Sequence, residues 1–173
     1  MDNLPPVIFI TGPTASGKTD LALSLCEHMP AEIISVDSVQ VYRQLNIGSA
    51  KPSFDILNKI PHWLIDIMDP AESYSVAKFL MDAFYAIQEI IGRGKVPLLV
   101  GGSMMYFNVL LNGLSKLPAA DNAVRRDLEQ QIEDEGTDRL YAELERVDAE
   151  SARILHPNQR QRILRAIEVF RIT

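Results

Sequence analysis

The sequence predicts an α/β fold: a three-layer core built on a parallel sheet, followed by a helical appendage. Three observations carry this. A short apolar run enters a glycine-rich loop that opens a helix, apolar runs and amphipathic stretches then alternate to residue 118, and from Ala119 the pattern is helical only. Strands alternating with helices imply a parallel sheet covered on both faces. The expected divisions are therefore 1–118 for the core and 119–173 for the appendage. With 173 residues, 47% apolar and 23% charged, the chain can bury such a core and is not of disordered composition.

The first strand is Val7-Ile8-Phe9-Ile10, a β-branched and aromatic run. Next, Gly12-Pro13-Thr14-Ala15-Ser16-Gly17-Lys18-Thr19 fits G-x-x-x-x-G-K-[ST] in full, the loop whose backbone N–H groups cradle a di- or triphosphate. Leu21, Leu25 and Met29 recur at helical spacing behind it, with Ala22 between them. The start of that helix, with its free N–H groups and dipole, favours an anion. Lys18 would add a point charge, and the Thr19 hydroxyl would hold Mg²⁺. The core is thus P-loop NTPase-like. The loop specifies phosphate, but neither the compound nor the reaction.

Glu32-Ile33-Ile34-Ser35-Val36-Asp37 reads as the second strand and delivers Asp37 to the carboxyl end of the sheet, where open α/β sheets bind ligands. Asp37 can be a Mg²⁺ ligand, a proton acceptor or the cap of the next turn. Gly48 to Pro61 reads as an irregular connection, and His62 to Ile67 as a further strand. Ser73 or Ser75 caps a helix whose core stripe is Val76, Phe79, Leu80, Ala83, Phe84, Ile87, Ile90 and Ile91, ended by Gly92 and Gly94. Pro97-Leu98-Leu99-Val100 runs into Gly101-Gly102-Ser103, where two glycines permit close approach of backbone to ligand. Ser103 presents its hydroxyl beside the loop, caps the next helix, or does both. In the appendage, Leu128 and Ile132 mark one helix. Leu140 and Leu144 mark a second, with Thr137 as its N-cap; Ile163, Ile167 and Phe170 form one face of a third, and Arg162 and Arg165 share another, with Asn158 above them.

The net charge of −6 is unevenly placed. Residues 119–150 hold eleven acidic and four basic residues, whereas 151–173 hold five arginines against Glu168. Binding follows local potential, so the arginine-rich segment keeps a nucleic-acid partner open, although a solvated basic face would look the same. Cys26 is the only cysteine, which excludes an internal disulfide. His28, His62 and His156 lack companions at zinc-ligand spacing, and no nucleophile elbow occurs. Met1 to Pro6 shows no leader signature and no apolar run approaches bilayer length, so a cytoplasmic protein without a membrane partner is expected.

Four stretches taken together resemble the bacterial-type tRNA dimethylallyltransferases (tRNA isopentenyltransferases). They are Gly12–Thr19, Ser35-Val-Asp-Ser-Val-Gln-Val-Tyr-Arg43, Val100-Gly-Gly-Ser-Met-Met-Tyr106 and His156-Pro-Asn-Gln-Arg-Gln-Arg-Ile-Leu-Arg165. The resemblance implies transfer of a dimethylallyl group from dimethylallyl diphosphate to the N6 amine of an adenine beside the tRNA anticodon. It implies that Gly12 to Thr19 hold the donor's diphosphate and need not hold ATP. Asp37 would be the base, with Lys18 and Ser103 as the other catalytic groups and Mg²⁺ on Thr19. Asp37, Ser38, Val39, Gln40 and Ser103 would meet the flipped adenine and its neighbours, and Arg125, Gln159, Arg160, Gln161, Arg162 and Ile163 the anticodon stem-loop. Members usually have Thr where Ser103 stands and run well past Thr173, which implies a C-terminally truncated chain, a monomer whose site is incomplete. The rival readings are a small-molecule kinase using ATP, a prenyltransferase acting on free adenine nucleotide, and a non-catalytic phosphate- or RNA-binding module.

Overall fold

In the computed structural model the structure describes residues 6–115 and 117–173; the first five residues of the stretch read above for a leader lie outside them. Two compact units divide the chain, at Leu114/Ser115. The boundary falls ahead of the expected 118/119 because Arg165 donates to the Pro118 carbonyl (2.6 Å), which ties that segment to the helical unit.

The first unit is built on a four-stranded parallel sheet of β1 (Ile8–Thr11), β2 (Ala31–Val36), β3 (His62–Trp63) and β4 (Val96–Gly101), in the order β1-β4-β2-β3. All six residues of β2 are buried, as a strand covered on both faces requires. Alternation sends Ile33 to one face, where Ile10, Leu98 and Val100 pack with Ala22 of α1 (Lys18–His28). Ile34, Val36 and Leu99 go to the other, against α3 (Val76–Gly92) and α4 (Met104–Asn112), where Phe79 and Tyr106 stack with ring centroids 4.0 Å apart. A short α2 (Phe54–Lys59) lies within the connection read as irregular. At the amino end of β2, buried Glu32 accepts from Trp63 Nε1 (2.8 Å), Arg93 (2.9 Å) and Lys95 (3.0 Å). Burial pushes its carboxyl up, but those bonds outweigh burial and hold it below the usual range.

Several expectations are corrected. The third strand stops at Trp63, since Leu64 (φ 62°) and Asp66 (φ 56°) turn left-handed. The chain there folds onto residues 40–43, with Asp66 N–H on the Gln40 carbonyl and Ile67 N–H on the Val41 carbonyl. Phe84 lies outside the core, 49% exposed, because the α3 stripe was read one position too wide. Ser75 and not Ser73 caps α3, accepting from Lys78 N–H. Gly101 has to be glycine because of the neighbouring strand: a Cβ there would lie 2.0 Å from the Val36 carbonyl oxygen.

The second unit is a helical cluster of α5 (Asn122–Glu135), α6 (Thr137–Val147), α7 (Ala149–Ile154) and α8 (Arg160–Ile172). Its core contains Leu128, Ile132, Leu140, Leu144, Ile163 and Ile167. Phe170, expected on that face, is half exposed, and Leu164 is buried instead. Thr137 is the first helical residue and not the cap; Gly136 (φ 84°) makes the turn, with no side-chain cap. Asp121 caps α5, accepting from Ala123 N–H (2.8 Å) and Val124 N–H (3.1 Å).

Candidate active site

β1 runs straight into the Gly12–Thr19 loop. Ala15 (φ 62°) and Gly17 (φ 78°) are left-handed, so successive N–H groups turn inward as an anion-binding concavity, and α1 starts on Gly17 without a side-chain cap. Its first-turn donors are therefore left to a ligand. Lys18 Nζ lies across the loop, donating to the Pro13 carbonyl (2.5 Å) and to Ser16 Oγ (3.3 Å).

Below the loop a cavity of about 120 Å³ opens at the carboxyl edge of the sheet. Thr14, Ala15, Lys18 and Thr19 form its mouth, with Asp37, Gln40 and Gly102 at the side. The rest of its lining is mostly apolar: Ala22, Ile33, Ala50, Pro52, Ile65 and Val100, with Ser35 and His62 among them. The space is of the order of the ~150 Å³ that accepts one benzene ring.

Asp37 serves its turn as well as the cavity. Its Oδ1 accepts from Val39 N–H (2.8 Å) and Gln40 N–H (3.1 Å), while its Oδ2 has no hydrogen-bond partner among the described residues. Capping thus occupies one oxygen and leaves the other open. Ser103 heads α4, but its hydroxyl caps nothing there; it accepts from Ser38 N–H (3.2 Å), which joins the end of β4 to the end of β2. Gln40 is a structural tie, accepting from Ser35 Oγ (2.9 Å) and donating to the carbonyls of Ser49 (3.2 Å) and Ala50 (3.0 Å). Its carboxamide is therefore engaged inside the protein, at the side of the cavity. Val39 is 43% exposed beside Asp37.

The outer wall went unseen in the sequence. Buried Lys51 donates to the Tyr42 carbonyl (2.5 Å) and Asp66 Oδ1 (2.6 Å), and Arg43 takes the carbonyls of Asp66 (3.2 Å) and Ile67 (3.1 Å). These cations pin the left-handed residues that turn Ile65 into the cavity. The one legible signal was a Lys beside Pro52 in a connection of small residues.

Of the other predicted positions, all in the second unit, Arg160, Gln161 and Arg162 are exposed on α8. Gln159 Oε1 accepts from His156 N–H (3.1 Å) ahead of the helix. Ile163 has no exposed surface and is core, so its side chain cannot touch RNA. Arg125 is held by Glu168 through Nε (2.8 Å) and Nη2 (3.2 Å), and Arg165 donates to the same carboxylate (2.6 Å). Arg165 is thereby engaged within the helical unit, whereas Arg162 stays exposed.

As for a metal, no group of three or more His, Cys, Asp or Glu side chains that could hold one occurs among the described residues. Thr19 and Asp37 nonetheless bring hard oxygen donors to the same cavity. That donor set fits Mg²⁺, which is commonly held by one or two protein oxygens together with phosphate and water.

A phosphate-loop sequence between β1 and α1, on a parallel sheet covered by helices, defines a P-loop-like α/β protein. The chain belongs to the IPP transferase family, whose model matches residues 40–173. It is similar to the full-length tRNA isopentenylpyrophosphate transferase of Bacillus halodurans, at 40% identity and a TM-score of 0.62, over 96% of this chain and 55% of that one. The Staphylococcus epidermidis tRNA delta(2)-isopentenylpyrophosphate transferase matches at 39% identity and 0.61, over 95% and 54%. A eukaryotic dimethylallyltransferase acting on tRNA matches at 31% identity and 0.78, over 96% and 41%. The chain thus spans about half the length of these structures, or less.

Proposed function

We propose that this chain carries the donor site of an enzyme that moves a dimethylallyl group from dimethylallyl diphosphate to the N6 amine of an adenine beside the tRNA anticodon. The observation that supports it best is the cavity, lined by the cationic loop, by a mostly apolar set of side chains and by Asp37, whose Oδ2 has no hydrogen-bond partner among the described residues. ATP would leave that apolar lining without a purpose.

In this reading the loop N–H groups and Lys18 hold the diphosphate and take up the charge that grows as the allylic C–O bond breaks. The adenine nitrogen forms the new N–C bond while Asp37 Oδ2 accepts its proton, and pyrophosphate leaves. Mg²⁺ on Thr19 would supply further charge neutralisation at the departing oxygens. Ser38 and Ser103 would keep the two strand ends together around the incoming base, which has to leave its stack to reach the loop. The exposed Arg160 and Arg162 would meet RNA phosphate. A tRNA substrate also makes the cytoplasm the expected location. Among the described residues no helix is long and apolar enough to cross a membrane.

The test is transfer from labelled dimethylallyl diphosphate with Mg²⁺ to an anticodon stem-loop RNA, by this chain and by a version extended to the length of its relatives. Labelled RNA from the extended form, lost with Asp37→Ala, is expected. ATP turnover with a small acceptor and no prenyl transfer by either form would replace this reading with the kinase.

A further inference from the structure

We propose that His62, with Ile33 and Ala22, forms a floor that limits the donor's allylic chain to five carbons. This rests on the donor reading above and names the residues that set its specificity. His62 and Ile33 are register partners on adjacent strands, so their side chains stand next to each other on the sheet face that α1 covers. Ala22 approaches from α1, one turn below Lys18 and Thr19. Ala22 and Ile33 are buried, His62 is half-buried, and all three residues line the cavity.

The depth can be counted along the backbone. From Thr19 to Ala22 the helix descends about 4.5 Å. From Ser35 to Ile33 the strand descends about 6.6 Å. A five-carbon branched chain fills that space, and a second isoprene unit would have to pass through Ile33 or the His62 ring. That ring is locked: Nδ1 lies 2.7 Å from the Ile60 carbonyl, which can only accept, so the proton sits on Nδ1. Burial lowers the imidazole below its ordinary 6.5, against the opposing pull of that bond. A fixed, neutral edge closes the chamber without placing a cation under an allylic chain that develops positive charge.

Titration calorimetry of this chain with Mg²⁺ and inorganic pyrophosphate, dimethylallyl diphosphate or geranyl diphosphate tests the floor. The wild-type chain is expected to bind the dimethylallyl compound at least about tenfold more tightly than the geranyl one. His62→Ala and Ile33→Ala should each reduce that ratio about tenfold by admitting the longer chain, with pyrophosphate affinity nearly constant. Equal affinity of the wild-type chain for both esters overturns the proposal whatever the variants do. An unchanged ratio in variants that still bind pyrophosphate overturns it as well. Failure to bind pyrophosphate and both esters refutes the donor reading itself, and the floor with it.

Discussion

Asp37 holds a turn with one carboxylate oxygen and leaves the other open for the proton transfer proposed above. Because Oδ1 takes the Val39 and Gln40 N–H groups and Oδ2 has no partner, Asp37→Asn should keep the turn while losing the base. Thermal melts of Asp37→Asn are expected near wild type, with prenyl transfer by the extended form down about 10²–10⁴-fold. Asp37→Ala should lose both turn and transfer. Lys18, whose ammonium rests on the Pro13 carbonyl and Ser16 Oγ, has a different proposed role, as a charge for the diphosphate. Lys18→Ala should weaken pyrophosphate binding about 10–100-fold, the value of a charge-assisted bond, with little change in the melting temperature; calorimetry reads the first and a thermal scan the second.

Among the elements, α5 and α8 depend on one buried carboxylate. Glu168 is fully buried and accepts from Arg125, Arg165 and Asp121 N–H (2.9 Å). Burial pushes its carboxyl up, yet these donors outweigh burial and hold it at about 2, against an ordinary 4.5. A folded value below the unfolded one means stability that is full above pH 4.5 and lost as pH falls towards 2. The loss should be on the order of 3 kcal/mol, seen as a falling melting temperature of the helical signal across that window. Glu168→Ala should cost about 3–5 kcal/mol at neutral pH, because two arginines are left facing an apolar gap, and Glu168→Gln should flatten the acid dependence. In the sheet, Gly101→Ala should destabilise by more than about 2 kcal/mol, as a Cβ 2.0 Å from the Val36 carbonyl must force β2 and β4 apart. Chemical denaturation checks that value.

For the whole molecule, the separation of acidic and basic blocks is partly consumed by folding. Arg171 pairs with Asp127 (2.8 Å) and Glu143 (3.1 Å), and Arg165 with Glu168, which leaves Arg160 and Arg162 exposed on α8. Replacing both by Ala should weaken anticodon stem-loop binding and reduce the slope of log affinity against log salt by about 1.5, roughly 0.7–0.9 per phosphate contact. Arg171→Ala should instead lower stability and leave that slope nearly unchanged. Binding isotherms at several salt concentrations separate the two.

What the sequence by itself determined was whatever depends on neighbours along the chain. The phosphate loop, the strand that feeds it and the helix that follows are one contiguous pattern, and the alternation of strands and helices gave the three layers. Asp37 and Ser103 could be placed at strand ends for the same reason. Only the tertiary structure decided which polar groups the protein uses itself. Gln40, Arg125 and Arg165 read as exposed binding groups, yet each also bonds a partner distant along the chain: Ser49 nine residues away, Glu168 forty-three and Pro118 forty-seven. Ile163 belongs to a core, and Leu64 and Asp66 turn the chain out of the sheet under the grip of Lys51 and Arg43. The cavity floor is of the same kind: Ala22, Ile33 and His62 meet because β2 and β3 pair in one register beneath α1, and no local pattern encodes that pairing.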